Sequence, residues 1–239
     1  IGGFERPGHE KVGQDIGVAL GKGPLGITIR DNLQELIKDA DVVIDFTTPQ
    51  ATLQTLKTVA EHGKAAVIGT TGFSKEDLAD IDALAEKIAF VMAPNMSVGV
   101  NLLFKVLKTV AEVLGDDYDV EIIEAHHRMK KDAPSGTALK LAQVVADALD
   151  RDLDEVAVYA RKGLIGERSK KEIGIQTIRA GDIVGEHTVM FAGIGERIEI
   201  THRASSRDTF ASGALRAALW VYGKPPGRYD MLDVLGLKG

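Results

Sequence analysis

Apolar positions along the chain follow two rhythms, and the change between them divides the sequence. From residue 41 to about 114, short and nearly continuous apolar runs alternate with longer amphipathic ones. "DVVIDFT" (41–47), "KAAVIGTTG" (64–72) and "IAFVMAPN" (88–95) are runs of the kind expected for strands buried on both faces of a parallel sheet. Residues 51–62, 74–87 and 98–114 carry helical spacing between and after them. Pro49 stands where a first helical position falls, and Gly63 where a C′ residue falls. Ser74 followed three positions later by Asp77 reads as a capping box. Successive βα units of this length imply right-handed crossovers and a doubly wound sheet. Ahead of them, "IGGF" reads as the end of a strand, and residues 2–26 as a glycine-rich loop with short irregular pieces.

The rhythm changes near residue 118. "YDVEIIEAHH" (118–127) alternates like a half-buried strand, and 137–149 is an amphipathic helix. From 156 to 203, "VAVYARKG", "EIGIQTIRA", "DIVGEHTVMFAG" and "ERIEITHRA" read as extended segments. Their Gly and Asp breaks point to an antiparallel or mixed sheet. Residues 210–222 are helical again and stop at Gly223-Lys224-Pro225-Pro226. The fold class is therefore α/β: a Rossmann-like doubly wound parallel sheet domain followed by an α+β domain with a mixed or antiparallel sheet.

Composition narrows the function classes. The 239 residues suffice for one large domain or two modest ones. A net charge of -6 argues against the broad basic face a nucleic-acid partner requires. No apolar run approaches the roughly 18 residues of a membrane span, and no signal peptide is visible, so a cytoplasmic protein is expected. The absence of cysteine removes disulfides, thiolate zinc sites and cysteine nucleophiles. Any positive cluster is then local and sized for a small anion.

One such cluster is "EAHHRMKKDAPSGTALKLA" (124–142). His126 and His127 end a strand, where adjacent side chains point to opposite faces unless the strand has already ended. An imidazole titrating near pH 6.5 suits proton donation near neutrality. Lys130 adds a point charge. Ser135-Gly136-Thr137 opens a helix whose free N–H groups and dipole favour an anion. Together these residues make a carboxylate or phosphate site beside a proton donor. The alternative is a solvated basic loop followed by ordinary turn-and-cap chemistry. A metal site on the two histidines lacks a third ligand at helical spacing, and none is expected. "GTTG" (69–72) and "APNMS" (93–97) follow strand ends, where open α/β sheets bind ligands, but tight βα turns would look the same. Glu5-Arg6 could hold an adenosine ribose and a 2′-phosphate, or be solvated loop charges.

The run Glu124-Ala125-His126-His127-Arg128, Lys130, Asp132-Ala133-Pro134-Ser135-Gly136-Thr137-Ala138-Leu139 resembles the signature of the dihydrodipicolinate reductases. "VIDFT", "VIGTTGF", "SVGVN", "EIIEAHH", "RAGDIVGEHTVMFAG", "GERIEITHRASSRDTFASGA" and "DMLDVL" resemble further family segments, in family order. The resemblance implies a reductase of lysine and diaminopimelate biosynthesis that uses NADPH or NADH on a small dicarboxylate. It makes His126 the general acid and Lys130 the second proton-donating or charge-stabilising group. His127, Ser135, Gly136, Thr137, Thr71 and Arg207 would hold substrate. Gly69, Thr70, Thr71, Ala93, Pro94, Asn95 and Met96 would contact the nicotinamide half of the cofactor, Glu5 the adenosine ribose and Arg6 a 2′-phosphate. It further implies a homotetramer, a dinucleotide domain of residues 1–97 and 207–239, and a substrate and oligomerisation domain of 98–206. A first strand, phosphate loop and helix are expected before Ile1. The rival readings are a non-catalytic dinucleotide sensor of the same fold and a metal hydrolase using His126 and His127.

Overall fold

A computed structural model describes residues 1–238 of the chain. They cluster into two compact units, residues 1–93 with 214–234 and residues 94–213 with 235–238.

In the first unit, β1 (Gly3–Phe4) runs parallel to β2 (Ile29–Arg30), with the short helix α1 (Ile16–Ala19) between them. β3 (Val42–Asp45), β4 (Ala65–Ile68) and β5 (Ala89–Met92) form a parallel sheet, joined by α2 (Pro49–Glu61) and α3 (Lys75–Leu84). All of β4 is buried, as its unbroken apolar run requires of a central strand. Ile37, Val43, Leu56, Val59, Ile68, Ile81 and Phe90 form the core. At roughly 1.5–3 kcal/mol for each large apolar side chain buried, such a set outweighs any single polar contact in the unit. The local signals act as read: Pro49 begins α2, and Gly63 follows its C-cap with φ +60°. The Ser74 hydroxyl accepts from Asp77 N (3.1 Å) while the Asp77 carboxylate accepts from Ser74 N (2.9 Å). Ser74→Ala is expected to cost about 0.5–2 kcal/mol, read as a lower urea midpoint at unchanged slope.

The second unit begins with α4 (Val98–Leu114) and β6 (Asp119–His126), followed by α5 (Gly136–Ala148), α6 (Leu153–Val156) and β7 (Ala157–Val158). β8 (Ile173–Arg179), β9 (Gly185–Ala192) and β10 (Arg197–Ala204) complete a five-stranded sheet of order β10-β9-β6-β8-β7. The sheet is mixed, since β6 lies parallel to β8 and antiparallel to β9. Leu103, Phe104 and Leu107 of α4 and Leu141, Ala142 and Val145 of α5 pack with Ile122, Ile175, Val189 and Phe191 in one core. The segment "VAVYARKG" is extended only at Ala157–Val158. Beyond it, Arg161 turns to Glu121 (2.7 and 2.9 Å) and Glu172, and Arg168 reaches Asp119 (2.8 Å) and the Val120 carbonyl (2.9 Å). Half-buried ion pairs, rather than strand hydrogen bonds, hold this stretch of chain.

The chain returns through α7 (Asp208–Val221), β11 (Gly227–Tyr229) and α8 (Met231–Leu235), with β11 pairing parallel to β5 at the edge of the first unit's sheet. The first turns of α7 group with the second unit. Gly213 presses there on the Met96 carbonyl, leaving no room for a β-carbon, which would lie 1.8 Å from that oxygen. The compact units divide near residues 93 and 213.

Candidate active site

β6 delivers two side chains of one strand face to the same place, because residues two apart share a face. Glu124 is fully buried and His126 nearly so. His126 Nδ1 donates to Glu124 Oε2 at 2.6 Å. Glu124 also accepts from Arg179 Nη1 and Nη2, both at 2.8 Å, and from Ser135 N at 3.0 Å. Arg179 comes from β8, whose register sets it beside His126. Burial pushes the Glu124 carboxyl up, but the bonds from Arg179, His126 and Ser135 outweigh burial and hold it at about 2. Burial lowers His126 below the ordinary imidazole value, with the Glu124 hydrogen bond and charge opposing that fall.

His187 from β9 stands edge-on to His126, with ring centroids 5.2 Å apart. Its Nε2 shares a hydrogen bond with Ser135 Oγ (3.2 Å), and burial followed by the charge of His126 lowers it to about 4. His187 is thus neutral at pH 7.

β6 ends at His126, so His127 belongs to the following turn and is not bound by strand alternation. Lys130 N donates to the His127 carbonyl (3.1 Å), and Lys130 Nζ pairs with Asp132 Oδ1 (2.9 Å). Arg179 Nη2 also holds the Asp132 carbonyl at 2.7 Å. Ser135 caps α5, its hydroxyl accepting from Ala138 N at 3.2 Å. It is buried, so both its N–H and Oγ serve the unit's interior, whereas Gly136 is exposed and Thr137 half-buried. The first N–H groups of a helix have no intrahelical acceptor, which leaves the Gly136 and Thr137 amides for an anion. Asn95 Nδ2 donates to Thr137 Oγ1 (3.1 Å), tying "APNMS" to this turn.

The remaining expected residues are placed less uniformly. Thr70 is buried, and its hydroxyl accepts from Thr47 N (3.0 Å) and Thr52 Oγ1 (2.8 Å), so it braces the ends of β3 and β4 from within. Gly69 is half-buried and Thr71 exposed just past β4. Ala93 and Met96 are buried and Pro94 is exposed, which leaves Met96 its backbone rather than its side chain for a ligand. Glu5 and Arg6 are exposed after β1. Arg207 lies in an exposed turn before α7 and is not among the groups bonded around Glu124. Glu124, Arg179 and His187 were not among the expected residues. Only the i, i+2 spacing of Glu124 and His126 in a strand signalled any of them.

The first unit's residues fit a dinucleotide. Asp45 at the end of β3 is buried, and its Oδ2 has no partner among the described residues. Beside it, a β-carbon on Gly69 would fall 2.1 Å from the exposed Phe46 ring, so the ring lies directly over the Gly69 backbone. Exposed Glu5, Arg6 and Thr71 supply further polar groups past strand ends.

A parallel α/β unit with polar groups at its strand ends, joined to a unit presenting a carboxylate-held imidazole and a cationic turn, defines a dinucleotide-using oxidoreductase. The chain belongs to the dihydrodipicolinate reductase family: the family's N-terminal part ("Dihydrodipicolinate reductase, N-terminus") matches residues 1–96 and its C-terminal part residues 99–235. It is 61% identical to the 4-hydroxy-tetrahydrodipicolinate reductase of Syntrophus aciditrophicus, over 99% of this chain and 88% of that one. It is 60% identical to that of Geobacter sulfurreducens, over 99% of this chain and 89% of that one. Among solved structures, a dipicolinate-bound dihydrodipicolinate reductase from Paenisporosarcina sp. TG-14 matches with a TM-score of 0.72 and 28% identity, over 98% of this chain and 88% of that one. Among the described residues, no helix is long and apolar enough to cross a membrane.

Proposed function

We propose that this protein reduces the cyclic, dianionic product of dihydrodipicolinate synthase to tetrahydrodipicolinate, in the cytoplasm, with NADPH or NADH as reductant. The observation that carries the residue assignment is an imidazole bonded through Nδ1 to a buried carboxylate, followed directly by Lys130 and the capped turn of α5. When bound, the reduced nicotinamide supplies a hydride to the substrate ring. Gly69, Thr71 and the backbone of Ala93–Met96 would hold its nicotinamide half, Glu5 the adenosine ribose and Arg6 a 2′-phosphate.

The chain's own residues do the rest. The Gly136 and Thr137 amides and His127 grip the substrate carboxylates, and Lys130 and Arg207 add charge. Charge-assisted hydrogen bonds contribute roughly 1.5–3 kcal/mol each, so a few suffice to hold a small dianion. His126 donates a proton from Nε2. Its lowered pKa leaves the resting ring largely neutral near pH 7, and a dianion beside it restores the charged form. Substrate binding thus charges the acid that then acts on it.

The protein works as a homotetramer through the second unit's sheet. Support comes from exposed apolar side chains on that unit, Leu164, Ile165, Ile194 and Ile198. A built proton donor disfavours the non-catalytic sensor. The test is NADPH and NADH oxidation by the chain with freshly made synthase product. Turnover is expected with at least one cofactor, and binding without oxidation overturns the reading.

A further inference from the structure

We infer that Glu124 and Arg179 form a positioning pair that fixes the tautomer of His126 and sets the pH range over which it carries its transferable proton. The inference rests on His126 being the proton donor. Glu124 is saturated with donors: Oε1 takes Ser135 N and Arg179 Nη2, and Oε2 takes His126 Nδ1 and Arg179 Nη1. A carboxylate filled by N–H groups has no proton of its own to give, so Nδ1 of His126 must bear hydrogen in every protonation state. The proton that comes and goes is therefore on Nε2. After transfer to a substrate carbon, the ring is left neutral with hydrogen on Nδ1. A β-carbon at position 185 would lie 3.2 Å from Nε2, so Gly185 keeps that nitrogen uncrowded.

The same pair reaches the rest of the site. Arg179 holds the Asp132 carbonyl, and the Asp132 carboxylate holds Lys130. Glu124 holds the N-cap residue of the helix whose first amides face the anion. One ion pair, with a buried carboxylate and a half-buried guanidinium, thus fixes the acid, the lysine and the anion grip relative to one another within the second unit.

The charged and titratable groups around His126 are Glu124 on its own strand, Arg179 from β8, and His187 from β9 with His202 of β10 beyond it. Lys130 and Asp132 come from the turn, and the positive N-terminus of α5 follows. Glu124 favours the imidazolium, whereas Arg179 and Lys130 oppose it. Removing Glu124's charge must then lower the titration of His126, and removing Arg179's must raise it.

The reaction needs protonated His126, so turnover falls as pH rises through its pKa. In Glu124→Gln that alkaline fall is expected to move to lower pH, and in Arg179→Gln to higher pH. Loss of structure alone does not move the two profiles in opposite directions. Because either variant leaves a buried charge unpaired and could fail to fold, the wild-type full chain supplies a second measurement. Long-range ¹H–¹⁵N spectra of His126 above its titration are expected to show Nδ1 protonated and Nε2 bare. The opposite tautomer, or profiles that stay fixed or move together, overturns the inference. If His126→Gln keeps full turnover, the assignment of the donor fails instead, and the two failures are told apart.

Discussion

His126→Gln is expected to lower kcat by about 10²- to 10⁴-fold while leaving NADPH affinity within about twofold of wild type. Glutamine matches the reach of the ring and can still accept or donate one hydrogen bond, but it cannot carry a transferable proton at neutral pH. Glu124, Arg179 and Ser135 would still satisfy one another, so the second unit's core of Leu141, Val189 and Phe191 is not disturbed. The residues proposed to hold the cofactor lie mainly past strand ends of the first unit, and none is bonded to His126. Steady-state oxidation of NADPH and a fluorescence titration of the nucleotide separate the two quantities. Loss of nucleotide binding with kcat intact would place His126 on the wrong ligand.

Lys130→Ala is expected to reduce kcat/KM by about 10- to 150-fold, the equivalent of one charge-assisted hydrogen bond of about 1.5–3 kcal/mol. The lysine is partly shielded, 22% exposed, whereas its partner Asp132 is 60% exposed. An ion pair with so exposed a carboxylate contributes little to stability, so the variant should unfold at nearly the wild-type urea concentration. A split between kcat and KM shows where the charge acts. A fall in kcat marks charge developing in the transition state, and a rise in KM alone marks simple anchoring. An unchanged kcat/KM would remove Lys130 from the site.

Element types were legible because they depend on short-range signals. The Pro49, Gly63 and Ser74–Asp77 punctuation sets helix ends by local chemistry, and the apolar run of β4 records burial on both faces. The environment of His126 was not legible, since Glu124 meets Arg179 55 positions later and Ser135 meets His187 52 positions later. A sequence shows that both segments are strands but not their register, and a slip of one residue turns Arg179 to the other face. The direction a hydroxyl faces is equally hidden. Thr70 and Ser135 look like ligand-binding residues in their motifs, yet each spends its oxygen inside the protein. The stretch after β7 misled for a similar reason: Arg161 and Arg168 found acidic partners on β6 and near β8, and the side-chain pairings to β6 are nearly as long-range as those around His126.

The edge strand β11 has a consequence for how the protein is made. β5 finds one neighbour, β4, a short way back along the chain, but its other neighbour is near the end, and Arg228 of β11 reaches Asp82 across 146 positions. As the chain emerges from the ribosome, the first unit therefore has an unfinished sheet for the whole time the second unit is being translated. An open parallel edge in a nascent chain invites wrong pairing, with neighbouring copies on a polysome or with the newly emerging strands of its own second half. Completion of the nucleotide-holding half is thus a late, nearly post-translational event, even though most of it is synthesised first.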